Sequence, residues 1–375
     1  MLNGVDLRAR QALAEQIRED SWEAQLSMGV QAHPEPGGRC RVDTEPMRMG
    51  SIRVARSFSL RQSGSGPGTA AGAGDCLDPV GSVLVALGAS VADSVVTRLT
   101  GEGCHLTLLE VLPVAEFARA GGGGAAGLSY TVRVEGDVTA DQARGAVRAA
   151  RERSSGHRTL AEPNELRVVV QTERDVHLTA RPEPAGQGPF APAERREARV
   201  SWEVGAHVIA EVDGVRADSD QPKQLFGADL APSAQEYFLA ALAAEALRFA
   251  APDGPPASAA PDGPPASAAR DTVHASARID LRGPYSAQDA PAGLRNVLVQ
   301  LLPADPTAGD EGPAGAMRAW LAEGDSLRLL RDAHPIRVDV VLNGTPLAPE
   351  PAAPADPGGT APAGENDTEE HHHAP

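Results

Sequence analysis

Two carboxylates on one strongly apolar stretch are the first candidates for chemistry. Glu236 and Glu245 lie between alanines and leucines, and Glu245 in particular is flanked by Ala243, Ala244 and Ala246. A carboxylate in such surroundings would be desolvated, which suits a proton-transfer group. Nine helical residues span about 180°, so Glu236 and Glu245 would not face the same way. An acid-base role therefore falls on Glu245 before Glu236.

Simpler structural roles compete with the catalytic ones. Glu236 follows Ser233 by three residues, which is the pattern of a capping box at a helix start. Glu245 could instead pair with an arginine such as Arg248 or point into a residual pocket. His157 and Arg158 form a possible site pair, but they precede the last strand of their half, where a turn and a structural hydrogen bond are the plainer interpretation.

The three cysteines are Cys40, Cys76 and Cys104, an odd number at no metal-ligand spacing. We predict no metal site, no cofactor and no disulfide framework, as in a reducing compartment. Cys76 lies just before a helix start, where the dipole favours a thiolate, although Asp75 and Asp78 oppose it. Cys76 is therefore the one candidate for redox chemistry, and Cys40 and Cys104 are expected to be inert.

Two long helices would have to position these groups. The stretch from Asp229 to Ala250 is apolar on nearly every side from Ser233 onward, and the stretch from Asp78 to Leu99 is its echo. Such a pattern is typical of a helix buried all round. Ser233 caps the later helix; Asp78 caps the earlier one, with Pro79 as its first residue. Setting Ala234 against Pro79 aligns the two without a gap.

The segments "APSAQEYFLAALAAE" and "LDPVGSVLVALGAS" resemble the central helix of the OsmC/Ohr family of thiol peroxidases. In that family a proline at the helix start is followed eleven residues later by the peroxide-reducing cysteine. Here Ser90 and Glu245 stand at the two matching positions. The resemblance covers roughly 22 to 178 and 195 to 344, and "PKQLFGADLAPSAQEYFLAALAA" makes it more specific in the second half.

The resemblance implies a fold and a lost activity. It implies an α+β fold in which two OsmC-like copies, with antiparallel sheets and long central helices packed back to back, form an intramolecular pseudo-dimer. The family's resolving cysteine would fall near Ser154 in the first copy and Gly324 in the second. Neither a serine hydroxyl nor a carboxylate can replace a thiolate that forms a sulfenic acid. The peroxidase mechanism is therefore expected to be absent at both places.

Strand and turn patterns agree with a duplication. The first half is predicted to contain three strands, the third of them at 51–60, then the central helix, two strands, a helix and a strand. A similar order recurs in the second half, with its second helix region within 313–332. Linkers and loops follow from proline, glycine and serine content. The predicted organisation is an N-terminal helix at 1–21, copy 1 at 22–180, a linker at 181–194, copy 2 at 195–345 with a disordered insertion at 251–270, and a disordered tail at 346–375.

Composition excludes some classes of partner. A net charge of −17 without a basic cluster argues against nucleic acid. No run is expected to reach the length of a membrane span, and residues 1–20 are charged, so we predict no membrane and a cytoplasmic location.

Two function classes remain from the sequence. The first is a non-catalytic scaffold, linked to oxidative-stress physiology, that binds an apolar small molecule at the helix-helix interface or a protein partner. The second is an enzyme, either a hydroperoxide reductase that uses Cys76 or an acid-base catalyst centred on Glu245.

Overall fold

A computed structural model describes residues 1–63, 76–118, 126–183, 192–251, 270–307 and 309–348. Glycine and serine content predicts a flexible loop at 63–74, of which only Ser63 is among the described residues. Most of the predicted insertion and the tail beyond 348 also lie outside them. The α helices are α1 (Leu7–Glu19), α2 (Pro79–Gly101), α3 (Ala140–Arg153), α4 (Ser155–Ala161), α5 (Ala234–Ala250), α6 (Glu311–Glu323) and α7 (Asp325–Arg331).

The strands belong to two sheets, so the α+β class is confirmed. In chain order they are β1 (Gln25–Glu35), β2 (Arg39–Thr44), β3 (Met47–Met49), β4 (Ile52–Val54), β5 (Ser59–Ser63), β6 (Leu106–Ala118), β7 (Ala126–Gly136), β8 (Leu166–Val170), β9 (Val176–Ala180), β10 (Pro192–Glu197), β11 (Arg199–Val204), β12 (His207–Val212), β13 (Val215–Ser219), β14 (Thr272–Asp280), β15 (Arg295–Leu302), β16 (Arg337–Leu342) and β17 (Thr345–Pro346).

Each sheet combines strands from both halves of the chain. One sheet runs β4-β3-β1-β14-β15-β8-β9, so that β14 and β15 of the second half lie between strands of the first. The other runs β13-β12-β11-β6-β7-β16-β17, with β6 and β7 of the first half between strands of the second. In the first sheet, β14 pairs with β1 in antiparallel orientation and β15 pairs with β8 in parallel orientation. In the second sheet, β6 pairs with β11 in antiparallel orientation and β7 pairs with β16 in parallel orientation. Each half thus contributes two strands to the middle of the other half's sheet.

The two central helices lie between the sheets and contact each other. α5 packs on β1 and β14, whereas α2 packs on β6, β11 and β12. A Cβ added at Gly88 of α2 would collide with the Val200 side chain, so glycine permits this close approach to β11. Instead of two separate cores, buried apolar side chains from both halves form one continuous cluster. Burying each leucine stabilises the fold by roughly 1.5–3 kcal/mol.

The predicted helix starts are confirmed in detail. The Asp78 carboxylate accepts a hydrogen bond from the Gly81 N–H at 2.6 Å, with Pro79 as the first residue of α2. Ser233 and Glu236 form the predicted capping box at the start of α5. The prediction that no run has the length and hydropathy of a membrane span was wrong for α2, which meets that criterion. However, 83% of the apolar stretch of α2 that meets this criterion is buried inside the protein, as expected for a core helix.

Several local predictions need correction. The predicted strand at 51–60 is divided into β4 and β5, and the second helix region of the later half is divided into α6 and α7 around Gly324. The predicted linker at 181–194 ends in β10, which pairs with β6, and Pro346 of the predicted tail pairs with Val341. The partner of β10 lies far away in the chain, so local composition does not reveal it, whereas β4 and β17 pair with the strands next to them in the sequence.

Candidate functional site

Ser90 lies on the side of α2 that faces α4. Its hydroxyl exchanges hydrogen bonds with the hydroxyls of Ser154 at 2.9 Å and Ser155 at 3.1 Å. It also accepts from the Gly156 N–H at 2.9 Å. A Cβ at Gly156 would lie 2.8 Å from the Ser90 Cβ, so this helix start can approach α2 only with glycine there. The Ser90 hydroxyl therefore holds the start of α4 against α2.

Ser154 explains why α3 ends and α4 begins at this point. It is both the last flanking residue of α3 and the N-cap of α4, where its hydroxyl accepts from the His157 N–H at 3.3 Å. The first backbone N–H groups of a helix lack partners within the helix. Ser90 and Ser154 together satisfy two of them. The two positions at which the resemblance would place cysteines thus do meet, but as a pair of capping hydroxyls.

Glu245 is only 2% exposed and holds the start of α7 in the same way. Its carboxylate accepts from the Ser326 N–H at 3.0 Å, the Ser326 hydroxyl at 2.7 Å, the Leu327 N–H at 3.1 Å and the Trp320 indole N–H at 2.9 Å. Gly324, the N-cap of α7, offers no side chain for this purpose. A carboxylate also suits the positive end of a helix dipole. The expectation that Glu245 pairs with Arg248 or points into a pocket was wrong, because four donors occupy it.

Glu236 has its predicted capping role and one further partner. Its carboxylate accepts from the Ser233 N–H at 2.6 Å and lies 3.4 Å from the guanidinium of the buried Arg56. Burial raises the pKa of Glu236, while Arg56 and the bonds from Ser233 act in the opposite direction. The side chain is fully enclosed, so it has no access to a substrate.

The cysteines are buried within the described part of the chain. Cys76, at 7% exposure, precedes Asp78 as expected, and Cys40 and Cys104 are less exposed still. Desolvation raises the pKa of Cys40 to about 12, with Cys76 and Glu35 adding to the effect. Burial also raises the pKa of Cys104. Thiols with raised pKa values are poor nucleophiles at neutral pH.

His157 and Arg158 belong to α4 rather than to the predicted turn. The His157 ring shares a hydrogen bond with the Tyr130 hydroxyl at 3.0 Å and meets that ring edge to face. Burial, followed by the charges of Arg151 and Arg158, lowers the pKa of His157 to about 4. Arg158 pairs with Glu162, away from the histidine. The two residues therefore do not form a joint site, and the predicted structural hydrogen bond of His157 is the one to Tyr130.

A cavity of about 180 Å³ opens beside Ser90. Its wall includes Ser155 of α4 and Gln235 of α5, whose amide donates to the Ser155 hydroxyl at 2.6 Å. Arg10 of α1 and Asp93 of α2 form an ion pair at 2.6 Å in the same wall. The cavity thus lies between the two halves, at the end of the α2–α5 contact.

Sequence reasoning missed Arg10, Asp93 and Gln235 as site residues. One signal was present, because Asp93 follows Ser90 by three residues and therefore lies on the same face of an otherwise apolar helix. Arg10 could not be found in this way, since it is 83 positions from Asp93.

Comparison with known proteins does not assign the chain to a family. No protein-family model matches it, and no curated protein matches its sequence. Within the described ranges, no cluster of three or more histidine, cysteine, aspartate or glutamate side chains has a geometry that would hold a metal ion. The wall of the cavity beside Ser90 presents hydroxyls, an amide and an ion pair.

Proposed function

We propose that this protein is a two-copy relative of the OsmC/Ohr family that has lost peroxidase chemistry and binds a small molecule in the cavity beside Ser90. The loss of peroxidase chemistry is supported by one observation: Ser90 and Glu245 have the same structural role. Each stands eleven residues after the start of a central helix, and each accepts hydrogen bonds from the start of a short helix. Groups occupied in this way serve the fold and do not attack a peroxide.

The topology supports an intramolecular pseudo-dimer. The family consists of dimers with central helices back to back and sites at the shared interface, and here α2 and α5 touch between two sheets that exchange strands. The segment after α4 also forms a hydrogen bond with α7, and the segment after α7 forms one with α4. The Asn164 N–H donates to the Arg331 carbonyl, and the His334 N–H donates to the Leu160 carbonyl. We propose that one chain therefore suffices as a monomer in the cytoplasm, where it acts as a scaffold or regulator linked to oxidative stress.

The first experiment measures organic hydroperoxide reduction by the purified full chain in the presence of a dithiol. We expect no turnover above the rate without protein, because neither central-helix position holds a thiol. Turnover that depends on the protein would contradict the loss of peroxidase chemistry.

A second experiment tests the family relationship by restoring sulfur at the Ser90–Ser154 pair. The two hydroxyl oxygens lie 2.9 Å apart, so the double variant Ser90→Cys/Ser154→Cys places two sulfurs within reach of a disulfide. A thiolate would attack the peroxide, release an alcohol, and form a sulfenic acid that the second thiol converts to a disulfide and water. We expect a disulfide to form when peroxide is added, and peptide mass spectrometry measures how much of it forms.

The matched control for this experiment is Ser94→Cys/Ser154→Cys. Ser94 lies one helical turn from Ser90 and bonds to the Ser90 carbonyl, so it is not paired with Ser154. Disulfide formation at equal rates in both double variants would contradict the proposed site.

The enzymatic alternatives have less structural support. Cys76 is buried, and the carboxylate of Glu245 is enclosed by four donors. If the unmodified chain did reduce hydroperoxide, loss of that activity in Cys76→Ser would establish the reductase alternative.

A further inference from the structure

Three buried polar atoms in the wall of the Ser90 cavity lack a hydrogen-bond partner among the described residues. They are Nε of Arg10, Oγ1 of Thr97 and Oε1 of Gln221, and all three residues line the cavity. Buried polar atoms in folded proteins are nearly always paired, so unpaired ones in a cavity indicate a bound polar group. The set comprises an N–H donor, a hydroxyl and a carbonyl acceptor.

The charge of the cavity wall is positive. Arg10 is paired with Asp93, and only 12% of its side chain is exposed. Arg98 is paired with Glu102 at 2.8 Å. Arg153, which is exposed at the cavity, has no carboxylate partner within the described ranges. One uncompensated positive charge therefore favours an anion.

The remaining wall is apolar, and the volume limits the ligand. Leu26, Leu225, Ile279 and Leu281 supply aliphatic surface. A cavity of ~150 Å³ is known to hold benzene. At about 180 Å³, this one accommodates a ligand of roughly six to ten non-hydrogen atoms.

We infer that the cavity binds a small hydroxylated carboxylic acid with an apolar body. The inference rests on the small-molecule role proposed above. The carboxylate would accept from Arg10 Nε–H and the Thr97 hydroxyl in the field of Arg153. The ligand hydroxyl would donate to Gln221 Oε1, and the apolar body would lie against Leu26 and Ile279.

The test is calorimetric titration of the full chain with three probes: 4-hydroxybenzoate, its neutral counterpart 4-hydroxybenzamide, and toluene, which has no polar group. We expect the acid to bind about tenfold more tightly than the amide, because its charge strengthens the hydrogen bonds from Arg10 and Thr97. Arg153→Gln should weaken acid binding about threefold, the effect of one exposed charge pair, and leave amide binding unchanged. Arg151→Gln removes an exposed charge two residues away that does not line the cavity, so it should change neither.

Thr97→Val provides a second variant that keeps the side-chain shape. Loss of one donor to a charged ligand should weaken acid binding about tenfold, without the change in helix packing that a larger substitution would cause. The melting temperature of each variant without ligand shows that the fold is kept.

The outcomes separate this inference from the proposed function. Equal affinities for acid and amide, together with no effect of Arg153→Gln, would overturn the carboxylate inference. Binding of toluene alone would do the same while supporting an apolar-ligand site. The absence of binding by any of the three probes would contradict the small-molecule role itself. The loss of peroxidase chemistry is judged independently by the hydroperoxide assay.

Discussion

Two short helices, α4 and α7, are both capped by a side chain of a central helix, but the capping groups differ in chemistry. At the Ser90 end, two hydroxyls cap α4, which begins after Ser154. At the Glu245 end, one carboxylate caps α7, which begins after Gly324 and has no capping side chain of its own. The requirement is common to both ends, because helix-start N–H groups buried in the protein need acceptors.

The two ends also differ in how their space is filled. Four residues before Gly324, α6 carries Trp320, which is fully buried and donates to Glu245. Four residues before Ser154, α3 carries Ala150. The cavity lies at the Ser90 end, where Ser90, Ala149 and Ser155 line it. Small side chains therefore leave a cavity at this end, whereas at the Glu245 end the carboxylate and the buried tryptophan occupy the space around the start of α7.

The largest expected effect is that of Glu245→Ala. This change leaves the Trp320 indole and two helix-start N–H groups buried without an acceptor, so the free energy of unfolding should fall by about 3–5 kcal/mol. Urea unfolding measures it. Glu203→Ala, at an exposed strand position, is the control and should be neutral. A loss no larger than that of Ser90→Ala would remove the contrast between the ends.

The next effect is the contribution of His157 to the pH dependence of stability. At the start of α7 the pKa of Asp325 is raised by burial, so the contribution of Asp325 has the opposite sign. The pKa of His157 is about 4 in the fold against about 6.5 when unfolded, so between these values the unfolded chain binds more protons at this site. The contribution of His157 to stability should therefore fall by about 2–3 kcal/mol as pH decreases from about 6.5 to about 4.

His157→Gln is the control for this pH dependence, since glutamine can still bond to Tyr130 but does not titrate. The difference between the two proteins, measured by urea unfolding from pH 7 to 4, isolates the contribution of His157. Parallel curves over this range would show that the histidine does not sense pH.

A smaller effect is expected for Trp320→Phe. Phenylalanine keeps most of the buried ring but removes one of the four donors to Glu245, so we expect a loss of about 1–2 kcal/mol. Trp202→Phe is the comparison, because Trp202 is only partly buried and donates to a single backbone carbonyl. A larger loss at Trp202 than at Trp320 would argue against tight closure of the Glu245 end.

The smallest effect is that of Ser90→Ala, about 1 kcal/mol. Gly156 loses its acceptor, but Ser154 remains as the cap of α4, and the cavity gives water access to the freed N–H. Thermal unfolding detects the change. A fall of more than about 3 kcal/mol in the free energy of unfolding would mean that Ser90 stabilises its helix as strongly as Glu245 does. That result would contradict the expectation that Glu245, with more donors, contributes more.

Much of the helical framework is visible in local sequence. Asp78 with Pro79, and Ser233 with Glu236, determine where α2 and α5 begin, because a cap and its N–H partner lie within three residues. The apolar character of both helices determines that they are buried. Strand patterns likewise indicate most of the β segments, although β3, β9, β10, β13 and β17 were missed.

The sites depend on contacts across the chain. Glu245 meets Ser326 across 81 positions, Ser90 meets Ser154 across 64, and Arg10 meets Asp93 across 83. The exchange of strands between the sheets also joins segments that are far apart in the chain. By itself the sequence determined the starts of α2 and α5 and their burial, since those follow from neighbours within one turn. Only the tertiary structure decided which donors reach Glu245 and where a cavity remains, because both depend on how closely distant segments pack.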